Sequence, residues 1–243
     1  TIDTFEFQAP QSPTAEMIEV SVRVYSSRID LEQRSEVLVI PQAAATIDGK
    51  LRVFLTGESA INQVSTLANA LAEAGCTTLT EPTRVDAVVV AGDGSDAIDL
   101  VANGLPALVV ADLADTVFLP SIPRLEQFDP HWCTGFDWLG LETFPDLPVG
   151  PLMQAPFHSC IAPRVIPALD GLDPADVLMG TYRGWLGDEA AITAQARYGK
   201  GRVVVTTLGL SRSGRYDPLA RALLVRLLMY TTSPLCTPTS RIV

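Results

Sequence analysis

Basic residues are scarce in this sequence: 17 Lys and Arg stand against 28 Asp and Glu, a net charge of −11. Nucleic acid and anionic membrane surfaces are recognised through clustered Lys and Arg, so this balance argues against both as partners. Long apolar runs are missing too. A membrane-crossing helix needs about 20 consecutive apolar residues. The best candidates, residues 85–91 and 105–111, are strand-length and interrupted by Asp86 and Pro106. Cysteine is sparse: Cys76, Cys133, Cys160 and Cys236 are too far apart for a disulfide framework, which favours a reducing, cytoplasmic compartment. His131 and His158 are the only histidines. The start, Thr1-Ile2-Asp3-Thr4, lacks the basic and apolar regions of a signal peptide. It also lacks an initiator Met, so the chain reads as processed or cut from something longer.

What is present is apolar material, 47% of 243 residues, enough for one large core or two modest ones. Its pattern changes along the chain. Ile18, Val20, Val22 and Val24 alternate with Glu19, Ser21 and Arg23, the period of a half-buried antiparallel strand. Residues 36–40 predict a second strand stopped by Pro41, and residues 4–7 a short third. Three strands cannot close a sandwich, so residues 1–41 read as the last strands of a β-domain. Residues 42–49 read as a linker.

From residue 50 strands and helices alternate. A strand at 51–55 is followed by a turn in which Ser59 is placed to cap a helix. Ile61, Val64, Leu67, Ala68 and Leu71 define that helix's apolar face, and Gly75 its end. Ala87-Val88-Val89-Val90-Ala91 is apolar throughout, as expected of a strand covered on both sides. A short helix at 95–103, opened by Ser95, and a buried strand at 106–111 follow. Periodicity fails over 112–180. Two strands at 190–198 and 202–208 flank Gly199-Lys200-Gly201, a hairpin signal. Pro218 opens a last helix carrying Leu219, Leu223, Leu227 and Tyr230. The pattern predicts an α/β domain over 50–235 with a mostly parallel sheet, and a tail at 236–243.

Four constellations bear on chemistry. Gly92-Asp93-Gly94-Ser95-Asp96-Ala97 has the outline of a dinucleotide turn, but Asp93 and Asp96 would face the pyrophosphate. No cofactor is expected, and Ser95 reads as a helix cap. A Cys or Ser nucleophile of an α/β hydrolase belongs on a sharp turn after a buried strand. The strand at 105–111 instead exits into Ala111-Asp112-Leu113-Ala114. His131-Trp132-Cys133 and His158-Ser159-Cys160 repeat a His-x-Cys spacing that could offer zinc two imidazoles and two thiols. One intervening residue strains chelation, so no metal site is expected. Trp132, Phe136, Trp138 and Phe144 concentrate aromatic surface suited to a subunit interface or to stacking on sugar rings. Asp137, Glu142, Asp146 and Asp188 are available carboxylates with no reason to pair at glycosidase distance.

The chain resembles the C-terminal part of family 2 glycoside hydrolases, the β-galactosidase and β-mannosidase group. The likeness begins at Glu19, with Arg34-Ser35-Glu36-Val37-Leu38-Val39-Ile40-Pro41 leaving a sandwich. It continues through Phe136-Asp137-Trp138-Leu139, Phe144-Pro145-Asp146-Leu147-Pro148 and Gly150-Pro151-Leu152. It is clearest in Arg197-Tyr198-Gly199-Lys200-Gly201-Arg202-Val203-Val204-Val205-Thr206-Thr207-Leu208, followed by Asp217-Pro218. Similar segments occur in the glutamine-amidotransferase-like domain of such enzymes and in the related module of family 42 β-galactosidases. The resemblance implies a flavodoxin-like (class I amidotransferase-like) sheet, preceded by a few strands of an Ig-like β-sandwich. It implies a structural or oligomerisation module with no catalytic residue of its own, because the family's catalytic carboxylates belong to a barrel domain absent here. Its partners would be a second copy or the remaining domains of a parent glycosidase acting on β-linked sugars. A carbohydrate-binding module using the aromatics, and a divergent amidohydrolase using Cys76, Cys133 or Cys160, are the alternatives.

Overall fold

The computed structural model describes residues 12–25, 28–47, 51–57, 61–118, 125–127, 135–139, 143–144, 147, 157, 160, 162–167, 171–183, 188–213 and 217–242. The first described elements form an antiparallel ribbon, β1 (Glu16–Tyr25) and β2 (Asp30–Val39), paired without a slip from Glu16↔Val39 to Tyr25↔Asp30. β2 starts well before the apolar residues that announce it. Residues 30–36 are polar except Leu31, and the ladder with β1 carries them into the strand.

A mixed α/β body follows, built on one eight-stranded sheet. Its elements are β3 (Arg52–Thr56), α1 (Ile61–Glu73), β4 (Thr77–Leu79), β5 (Ala87–Ala91), α2 (Ile98–Ala102) and β6 (Ala107–Val110). Next come the two-residue strands β7 (Glu126–Gln127) and β9 (Arg164–Val165), which pair with each other, and β8 (Gly135–Leu139) between them in sequence. β10 (Val177–Arg183), β11 (Asp188–Tyr198), β12 (Gly201–Thr206), α3 (Leu210–Ser213) and α4 (Pro218–Thr232) complete the chain. The spatial order is β4-β3-β5-β6-β12-β11-β10-β8. The first five strands pair in parallel, and β12-β11-β10-β8 pair antiparallel.

Alternation along the central strands divides the core in two. Val89, Ala91, Leu108, Val110 and Val204 face a layer with α1, α3 and α4, while Val88, Val90, Val109, Val203 and Val205 face α2 and Ile242. Both faces are covered, which is why β5 and β6 are apolar at every position.

Local signals set the helix ends. α1 closes in a Schellman motif: Cys76 N–H donates to Leu71 C=O at 2.9 Å, Gly75 N–H to Ala72 C=O at 3.0 Å, and Gly75 has φ +87°. Its buried residues are Leu67, Ala70 and Leu71, continued by Ala74 just past its end, with Val64 half-buried against the same core, so Val64, Leu67 and Leu71 of the expected stripe face inward. Asp217 caps α4 by accepting from Leu219 N–H at 2.8 Å, with Pro218 at the first helical position. The short helix after β5 differs from expectation. Gly94, at φ +96°, occupies the cap position, and Asp93 Oδ1 accepts from Ser95 N–H at 2.8 Å and Ser95 Oγ at 2.6 Å. Asp93, rather than Ser95, satisfies the turn.

Two segments expected to be peripheral are packed. Residues 42–45 form a 3-10 turn against α4, with Ala45 buried, and Ile47 N–H donates to Ala74 C=O at 2.8 Å. The segment read as a tail lies along β11: Arg241 bridges Arg197, and Cys236, Ser240 and Ile242 are buried. Asp176, itself buried, holds it there. Its carboxylate accepts from Ser240 N–H at 2.6 Å, Thr239 N–H at 3.0 Å, Thr239 Oγ1 at 2.9 Å and Gln195 Nε2 at 2.9 Å. A Ser/Thr/Pro-rich stretch reads as coil because nothing local orders it. Its partner lies in a different part of the chain.

Candidate functional site

In a parallel sheet with helices on both faces, the carboxyl ends of the strands form the natural crevice for a ligand. β6 leads there into Ala111 and Asp112, at the position a strand-turn nucleophile would occupy. Asp112 is buried, and both its carboxylate oxygens accept from Ser211 Oγ at 2.6 Å, with Ser211 N–H adding a bond at 3.1 Å. Ser211 comes from α3, just beyond β12, and is only 2% exposed. In this arrangement the Ser211 hydroxyl is enclosed and is not presented to solvent. The pair ties β6 to α3 instead. Nearby, Thr193 and Thr206 share a buried hydroxyl bond at 2.9 Å, and Thr207 Oγ1 donates to Ile192 C=O at 3.2 Å, so these hydroxyls also have partners.

The glycine turn after β5 is likewise occupied by its own side chains, since Asp93 takes the Ser95 donors that a phosphate would need. Arg164 on β9 donates to Ala114 C=O and pairs with Asp115, fastening the loop that follows β6.

Of the thiols weighed from sequence, Cys76 is buried and burial pushes it up to about 11. Cys160 is fully buried and donates to Phe157 C=O at 3.5 Å. Cys236 is also raised to about 11, chiefly by burial, with Asp176 adding to the effect and Arg202 and Arg197 opposing it. A reactive cysteine needs an accessible, electropositive setting that favours thiolate, and neither Cys76 nor Cys236 has one. His131, Cys133 and His158 lie outside the described residues, as do Trp132 and Ser59.

The aromatic surface divides. Phe136 and Trp138 sit on β8, the outermost strand beside β10, where Phe136 pairs with Tyr182 and Trp138 with Gly180. Phe144 is 1% exposed within the main core. It is a packing residue and presents no ring to a partner.

The β1–β2 ribbon is the more distinctive surface. Its two faces differ sharply. One carries Ser21, Arg23, Asp30, Glu32 and Arg34: across the strands Arg23 forks onto Asp30 at 2.8 and 2.7 Å and Ser21 reaches Glu32 at 3.1 Å, and along β2 Arg34 reaches Glu32 at 2.8 Å. The base of this face, at Leu38, packs on the main core. The other face carries Ile18, Val20, Val22, Val24, Leu31, Val37 and Val39, with Glu16, Gln33 and Ser35 among them, by the parity of the ladder. There Val22 is 49%, Val24 54% and Leu31 65% exposed. The alternation was legible in β1, but the identity of the open face follows only from where Leu38 anchors the ribbon.

Among the described residues no helix is long and apolar enough to cross a membrane, and no group of three or more His, Cys, Asp or Glu side chains converges to hold a metal. No protein-family model and no curated protein matches this sequence. Among solved structures the chain is similar to Agd3, a carbohydrate deacetylase, with a TM-score of 0.45 and 10% identity. That match covers 72% of this chain and 32% of Agd3, so the chain spans about a third of the length of that structure.

Proposed function

We propose that this chain is a non-catalytic architectural module of a glycoside hydrolase acting on β-linked sugars, associating through the open apolar face of its β1–β2 ribbon. The observation that carries the reading is that face: a two-stranded ribbon is marginal alone in water, and contiguous exposed apolar surface marks an interaction site. The partner is a β-rich surface, either another domain of the parent enzyme or the same ribbon of a second copy. The body fits a flavodoxin-like, amidotransferase-like fold, because its parallel strands run in the order 2-1-3-4-5 when renumbered from β3. The loss of hydrolytic chemistry is supported by Asp112, which stands at the strand turn engaged with Ser211 instead of a free thiol or hydroxyl.

Sedimentation velocity over a concentration series tests the reading, alone and with the parent enzyme's other domains. The expected result is a concentration-dependent dimer or a complex with those domains, strengthened by salt as the repulsion of the −11 charge is screened. A strict monomer at high concentration and high salt, with no binding to the other domains, would overturn it.

A further inference from the structure

Arg197 on β11 stands directly opposite Arg202 on β12, and Arg241 pairs with Arg197 from the other side. Ladder partners project to the same side of a sheet, so three arginines rise from adjacent strands. Lys200 sits in the turn between Arg197 and Arg202. Like charges directly opposite destabilise a ladder, and composition does not explain the cluster in a chain with 28 acidic and 17 basic residues. Arg202 has a structural role: its Nε–H donates to Thr231 C=O at 2.8 Å and its Nη1 to Cys236 C=O at 3.0 Å, closing the carbonyl end of α4. Among the described residues no carboxylate pairs with Arg197, Lys200 or Arg241. The nearby Asp176 is buried and occupied by Gln195, Thr239 and Ser240. A cleft of about 640 Å³ opens between the 199–200 turn and the C-terminal segment, lined by Arg197, Lys200, Arg202, Thr237 and Pro238 among others, with no acidic residue.

We propose that this cleft binds the oxyanion group of a small ligand (phosphate, sulfate or carboxylate), with Arg197 and Lys200 as its charged contacts and Arg241 beside them. The volume falls in the range of small-molecule sites, and planar guanidinium forks match oxyanion geometry. A net charge of −11 repels a long polyanion, which selects a small ligand. The site lies at the opposite ends of the parallel strands from Asp112, and it does not depend on the ribbon or on the parentage proposed above.

The test is thermal unfolding and titration calorimetry of the full chain with inorganic phosphate, inorganic sulfate, acetate and chloride at constant ionic strength. The expected result is a saturable rise in Tm and measurable heat with at least one oxyanion and none with chloride. Response to phosphate and sulfate alone assigns a tetrahedral group, and an equal response to acetate assigns a carboxylate. Arg197→Gln should weaken the affinity by about tenfold or more. If that variant fails to fold, Lys200→Gln, at an exposed turn, should do the same. Chloride acting as strongly as the oxyanions, or variants that bind as tightly as the parent chain, would overturn the proposal.

Discussion

Asp112 and Ser211 lie 99 positions apart in sequence, yet both carboxylate oxygens of the one accept from the hydroxyl of the other at 2.6 Å. The pair joins the end of the central strand β6 to the segment that follows β12. Removing the Ser211 hydroxyl takes a short bond from the buried carboxylate while the Ser211 N–H bond remains, and losing a hydrogen bond to a charged group costs about 1–3 kcal/mol. Ser211→Ala is therefore expected to lower stability by that amount in urea unfolding. Combining it with Asp112→Asn should cost less than the sum of the single changes, because the two groups share one interaction.

The Asp176 cluster predicts an acid limb in stability. Burial raises the pKa of this carboxyl, but the bonds from Ser240, Thr239 and Gln195 outweigh it and hold it below the usual carboxylate range. The folded chain therefore keeps this group ionised where the unfolded chain, near pH 3.9, takes up a proton. Its contribution is present above that pH and is lost as pH falls toward the lower folded value. Asp176→Asn should lower Tm at neutral pH and flatten the acid limb. Amide exchange at Thr239 and Ser240 should accelerate in the same variant.

Gly201 tolerates no side chain. A Cβ there would meet Val101 C=O at 2.2 Å, and one at Gly199 would meet Ala102 C=O at 2.7 Å, with Gly199 also at φ +56°. The end of α2 presses on this hairpin, and Lys200 N–H donates to Ala102 C=O at 3.0 Å. Gly201→Ala is expected to destabilise by about 1–3 kcal/mol through overpacking, read as a drop in urea midpoint at unchanged m-value.

Thiol accessibility separates an architectural module from a cysteine enzyme. Cys76, Cys160 and Cys236 should resist iodoacetamide at pH 8 in the folded chain and react once it is unfolded, as peptide mass spectrometry would show. Rapid labelling of Cys76 or Cys236 in the folded chain would contradict their burial and raised pKa.

Val22→Lys with Val24→Lys should leave the unfolding of the α/β body unchanged, since both side chains are largely exposed, and should abolish association in sedimentation. A loss of association without loss of fold would separate the ribbon's surface from its structural role.

The readable parts of this sequence were those whose cause is local. Val88–Val90 announces a doubly covered strand, Gly199-Lys200 a tight hairpin, and Asp217-Pro218 a helix start. The existence of β10 was hidden because Val177 to Thr181 is buried without alternation, contains Gly180, and carries register irregularities against β11. Asp112 reads from sequence as a residue in place of a nucleophile, but nothing near it points to Ser211. The arginine ladder was equally hidden. Arg197 and Arg202 could have been matched once the hairpin register was drawn, whereas Arg241 enters only through the fold.

The strand order also sets how the chain must assemble. β11 and β12 meet across a two-residue turn and can zip on a timescale of about 1–10 μs. β12 reaches its other neighbour, β6, only after residues 111–200 have been gathered into place. Until that seam closes, the apolar edge of β12 waits unpaired, so refolding should be slow and increasingly diverted to aggregation as protein concentration rises.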